Sequence, residues 1–131
     1  ILLKRGFEIP GTLCHVARVH LMTGNESEAR KSVAKAWRLR KQALPYVVPR
    51  ILFYKILFAG LDGTNPVRWI YKIQIALQDE RAFNTWNITT LLQTMQPKLP
   101  FESHVLLNSL AGILQDCINK PFLSKLKGQV E

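Results

Sequence analysis

This sequence predicts an all-α chain of six to seven helices arranged as antiparallel hairpins, on three observations. Apolar residues recur at i, i+3, i+4 and i+7 in successive segments, one face of a helix each time. Strong turn signals, Thr23-Gly24-Asn25 and Gly60 to Pro66, separate those segments. No segment alternates polar and apolar residues over a strand's length. The run Val47 to Phe58 is rich in β-branched and aromatic residues and could form a strand, but it has no alternating partner.

The elements follow in order. Ile9-Pro10-Gly11-Thr12 signals a helix start, with Thr12 a candidate N-cap and Leu13, Val16, Ala17 and His20 on the packed face. Gly24 should end that helix, because glycine adopts the left-handed conformation without steric cost. Asn25 is the next candidate cap, and Glu26 and Glu28 suit the positive N-terminal end of a second helix packed through Ala29, Val33, Ala36 and Trp37. Lys35, Arg38, Arg40 and Lys41 lie toward its negative end. Leu44-Pro45 to Pro49 closes the pair.

A third helix is expected over 50–59 and a fourth over 66–80, the latter with Trp69, Ile70, Ile73 and Leu77 inward. A fifth should begin at Asn84 or Thr85 and carry Trp86, Leu91, Leu92 and Met95 as far as Pro97. A sixth should run from Phe101 to about Asn119 with Val105, Leu106, Ile113, Leu114 and Ile118 inward. A short seventh is expected from Pro121 to Leu126.

The 131 residues suit one domain with a core large enough to need no disulfide or metal. An apolar fraction of 47% argues against disorder. The start at Ile1 and the polar end predict a fragment of a longer protein, 1–131 forming a single helical domain. The longest apolar stretch, Val47 to Leu61, is interrupted by Arg50 and Lys55 and is too short to span a bilayer, so no membrane partner is expected. Cys14 and Cys117 are too few for a disulfide framework and should be buried, inert thiols. With no secretory signal in view, the sequons at Asn25 and Asn87 carry little weight and a cytoplasmic location is expected.

The charge of +9 is concentrated: residues 1–55 hold eleven Lys and Arg against three Glu, residues 56–131 seven against six acids.

Leu13 to Ala36 resembles one tetratricopeptide repeat, a family in which small residues let two antiparallel helices approach closely. Its first-helix positions fall on Leu13, Val16, Ala17 and His20, the turn glycine on Gly24, and the second-helix positions on Ala29, Val33 and Ala36. His20 stands where tyrosine is usual and Lys41 where a proline is expected. A second pair, one step of 39 residues on at Gly63, keeps the form without the signature. The resemblance implies a right-handed α-α superhelix whose first helices line a peptide-binding groove. That groove would include Cys14, Arg18, Leu21 and Met22, with Arg18 steering an acidic group.

No catalytic constellation, cofactor motif or metal site emerges. His15 and His20 lie five apart and point to different sides of a helix, and His104 is distant. Ser32 to Lys35 fits an S-x-x-K nucleophile motif by chance, without its companions. Gly60 and Gly63 lack the Gly-Lys-Ser/Thr of a phosphate loop. The expectation is a non-enzymatic scaffold binding a protein or peptide, a neighbouring domain of its own chain, or a second copy. The alternative is a regulator contacting nucleic acid through a stripe of Arg30, Lys31, Lys35, Arg38 and Lys41, since clustered cations on one helix suit phosphates. A solvated outer face explains the stripe equally simply, and no aromatic residue except Trp37 interleaves with it.

Overall fold

The structure is a computed structural model and describes residues 9–82 and 88–115. The described residues form six α-helices and no strand. These are α1 (Pro10–Met22), α2 (Glu26–Arg38), α3 (Val47–Asp62), α4 (Val67–Ala76), α5 (Thr89–Met95) and α6 (Phe101–Gln115). Short 3-10 turns follow α2, α4 and α5, at Arg40–Gln42, Glu80–Ala82 and Gln96–Lys98.

The α1–α2 hairpin forms as the sequence predicts. Ala17, Ala29, Val33 and Ala36 are fully buried along its seam. Gly24 takes φ +83°, the amide of Asn25 donates to the carbonyl of His20 at 2.7 Å, and that of Gly24 donates to Leu21 at 3.3 Å. These two bonds are the paired closure of a Schellman turn. The end of α3 repeats it: Gly63 takes φ +71°, Thr64 donates to Ala59 at 2.9 Å, and Gly63 donates to Gly60 at 3.3 Å.

Helix α3 is the centre of the molecule and packs against α1, α2, α4 and α6. Its burial is nearly complete, from Ile51 to Tyr54 and from Ile56 to Gly60, which is why its sequence is apolar on every face. It begins at Val47, earlier than expected, with Pro49 inside its first turn. The first amides of a helix have no intrahelical acceptor, so proline costs little there. At Gly60 the chain approaches α6 so closely that a Cβ would lie 2.9 Å from Ser103 Cβ and 3.1 Å from Leu99 Cδ2.

Several expectations need correction. Helix α1 starts at Pro10, not after a Thr12 cap, because proline's fixed φ suits the first helical position. Its buried face is Leu13, Cys14, Ala17 and Leu21, while Val16 and His20 are half-buried. The offset arises because α1 packs against α2, α3 and α5 together. Asn25 occupies the N-cap position of α2, but its side chain donates to Thr23 Oγ1 at 3.4 Å instead of capping. Trp37 is half-buried against the core, not within it. In α6 the buried residues are Leu107, Leu110 and Ala111, while Val105 and Ile113 are exposed. That helix is apolar nearly all round, so spacing could not select the face turned to α3 and α5. Helix α4 ends at Ala76 and α5 begins at Thr89. Asn84, Thr85, Trp86, Cys117, Ile118, the end of the sixth helix and the seventh lie outside the described residues, as does the side chain of Leu114.

Candidate functional site

Of the four residues of the groove implied by the repeat resemblance, Cys14 and Arg18 line one small cavity, while Leu21 lies in the core and Met22 at the surface. Cys14 and Leu21 are 5% and 4% exposed and belong to the core, so both present little surface. Arg18 is half-buried and Met22 is exposed at the end of α1. Burial pushes the Cys14 thiol up to about 12, against a smaller opposing pull from Arg50, so it stays protonated and inert. A small cavity of about 120 Å³ lies beside it, lined by Gly11, Cys14, His15, Arg18, Arg50 and Tyr54.

The basic stripe of α2 also divides. Arg30 is bound within the fold: its Nε donates to Glu26 at 3.2 Å, and its Nη1 and Nη2 donate to the two oxygens of Asp62 at 3.0 and 2.7 Å. The guanidinium also lies 4.7 Å over the ring of Phe58. The Asp62 hydrogen bond, foremost among these contacts, holds its pKa above the usual value. Lys31 pairs with Glu28 at 3.2 Å, one turn away on the same helix. Lys35 is half-buried, Arg38 is exposed at the end of α2, and Lys41 is exposed in the following 3-10 turn. Of these five residues, Arg30 and Lys31 are therefore paired with acids of the fold, while Arg38 and Lys41 are exposed.

Cations and aromatics gather instead where α2, α3 and α4 meet. Trp37 of α2 and Trp69 of α4 stand edge to face, centroids 5.6 Å apart. Arg40 lies 4.1 Å and Lys72 5.9 Å from the Trp37 centroid. Arg68 lies 4.8 Å and Lys55 5.4 Å from that of Trp69. Each is within cation–π range. Among the described residues, none of Arg38, Arg40, Lys55, Arg68 and Lys72 makes an ion pair. Desolvation lowers the pKa of Lys55, and the nearby charges of Arg68 and Arg38 lower it further. The site is thus a concentration of positive charge.

A cleft of about 330 Å³ opens beside the tryptophan pair, lined by Arg30, Lys55, Phe58, Asp62, Thr64 and Trp69 among others. On the adjoining surface of α4, Val67, Tyr71 and Ile75 recur every four residues and are 63%, 65% and 49% exposed. Arg68 and Lys72 sit one residue beyond Val67 and Tyr71, so an apolar row and a cationic row run side by side along one helix.

Sequence reasoning missed this site. The row Val67, Tyr71, Ile75 was readable at its spacing of four, as was the parallel Arg68–Lys72 pair. The convergence of Trp37 with Trp69, and of Lys55 with Trp69, depends on tertiary packing. Among the described residues no group of three or more His, Cys, Asp or Glu side chains is placed to hold a metal ion, and no helix is long and apolar enough to cross a membrane. No protein-family model, curated protein or solved structure matches the chain.

Proposed function

We propose that this chain is a non-enzymatic interaction module, built on repeat-like helical hairpins, that binds an acidic polypeptide segment carrying apolar side chains. The observation that carries the reading is the group of four cations, Arg40, Lys55, Arg68 and Lys72, without acidic partners among the described residues around Trp37 and Trp69, continuous with the apolar row of α4. Charge complementarity selects an acidic partner and speeds its arrival, while Val67, Tyr71 and Ile75 offer the area to bury. The matching closures at Gly24 and Gly63 support successive hairpins of one type, as a tetratricopeptide-like layer would have.

Nucleic acid is the second reading, favoured by tryptophans interleaved with cations. Against it, Arg40 lies over Trp37 and Arg68 over Trp69, so ring area a base would stack on is shared with the protein's own cations.

Fluorescence anisotropy with a labelled synthetic helix of alternating Glu- and Leu-bearing faces tests the proposal. Binding should weaken with salt, fall in Tyr71→Ala and fall further in Arg68→Gln/Lys72→Gln. A labelled single-stranded oligonucleotide that binds more tightly, with Tyr71→Ala leaving the peptide unaffected, would transfer the function to nucleic acid. Sedimentation under the same conditions separates partner binding from self-association.

A further inference from the structure

We infer that the cleft between α2, α3 and α4 receives a phosphomonoester dianion, carried as a phosphorylated side chain on the partner segment. Only the polypeptide source rests on the function proposed above; the site itself stands on its geometry.

The positive charge at the cleft is that of Lys55 in its lining, with Arg68 and Arg38 near it. Asp62, its one acidic lining residue, is engaged by both terminal nitrogens of Arg30, which also holds Glu26 through Nε, so Arg30 supplies no uncompensated positive charge. Lys55 remains, half-buried, its ammonium beside Trp69 and within the field of Arg68 and Arg38. Three cations that repel one another are relieved more fully by two negative charges than by one. The volume of about 330 Å³ exceeds what a lone carboxylate needs and accommodates a phosphoryl group with its ester linkage. Thr64 adds a hydroxyl whose hydrogen bond to the Ala59 carbonyl is long, 3.4 Å, and which can turn to donate to a phosphoryl oxygen. Arg38 and Arg68, both exposed, are long enough to close over an occupant and offer the planar donors that suit phosphate.

The test is titration of the full chain, ¹⁵N-labelled, with N-acetyl-phosphoserine amide while the Trp69 indole N–H resonance is followed. N-acetyl-aspartate amide and dimethyl phosphate serve as monoanionic comparisons. Phosphoserine should shift the Trp69 signal with a midpoint about tenfold lower than either monoanion. Its affinity should rise from pH 5 to pH 7.5 as the phosphate loses its second proton, near pH 6. Lys55→Met should raise the midpoint about tenfold and Arg68→Gln several-fold, and the exposed Arg68 keeps the test open if Lys55→Met does not fold. Equal midpoints for the three compounds, an unmoved Trp69 signal, or unchanged binding in Arg68→Gln would overturn the site. Phosphoserine binding without capture of the acidic helix leaves this site standing and removes the function proposed above. Capture of the helix without phosphoserine binding removes this site alone.

Discussion

Arg30 and Asp62 clasp each other through two hydrogen bonds of 3.0 and 2.7 Å across 32 residues of sequence, joining the start of α2 to the end of α3. The bidentate geometry adds a directional link between the first hairpin and the central helix to their apolar packing. It also sets one wall of the cleft and withdraws its acid from the basic site. Asp62→Asn should lower stability by about 0.5–1 kcal/mol in urea denaturation, a modest figure because both side chains remain partly in water. In a double-mutant cycle, Asp62→Asn should add little once Arg30→Gln is present, while Arg30→Gln keeps a cost of its own from the lost contacts with Glu26 and Phe58.

Gly60 marks the contact between α3 and α6 that permits least change. Gly60→Ala forces a methyl group against Ser103 and Leu99, and should cost about 1–3 kcal/mol in thermal or urea unfolding. Adding Ser103→Gly should restore part of the loss, since it removes the atom lying 2.9 Å from the new methyl. Gly24→Ala provides a contrast: nothing lies within 4 Å of a Cβ there, so its cost of about 1 kcal/mol comes from the backbone at φ +83°.

Cys14 predicts a pH dependence with a definite sign. Its pKa rises from 9.0 to about 12 on folding, so between those values the unfolded chain has released a proton that the folded chain retains. Stability must therefore fall as pH rises through that window. At pH 10.5 the loss should be on the order of 1–2 kcal/mol relative to pH 8, and Cys14→Ala should remove most of it. Alkylation of Cys14 by iodoacetamide near pH 8 should be slow and should accelerate in denaturant.

Much of the fold was legible because its signals are local. Ala29, Val33 and Ala36 mark a close helix–helix approach by their size, and Gly24 and Gly63 mark turns by their conformational freedom. The face of α6 was not legible, since apolar residues surround that helix and only its neighbours select Leu107 and Leu110 over Val105 and Ile113. The site was less legible still. Arg30 reads as one of five cations on a helix until α3 brings Asp62 to it. Trp37 reads as core until Trp69 meets its edge and the cations of three segments gather round the pair.

The cation–π contacts carry a prediction of their own. Trp69→Leu keeps an apolar side chain against the core, though a smaller one, and removes the ring beneath Arg68 and Lys55. It should cost about 1–2 kcal/mol in stability. It should weaken acidic-helix binding more than Met22→Ala, a change at the far end of α1 that should leave binding unaltered.

The most direct test of the account is to map where the acidic synthetic helix lands, by amide and indole chemical shifts of the labelled chain. The largest changes are expected at the indoles of Trp37 and Trp69 and along Val67 to Ile75. Changes centred on Arg18 and Met22 instead, with both indoles unmoved, would contradict it.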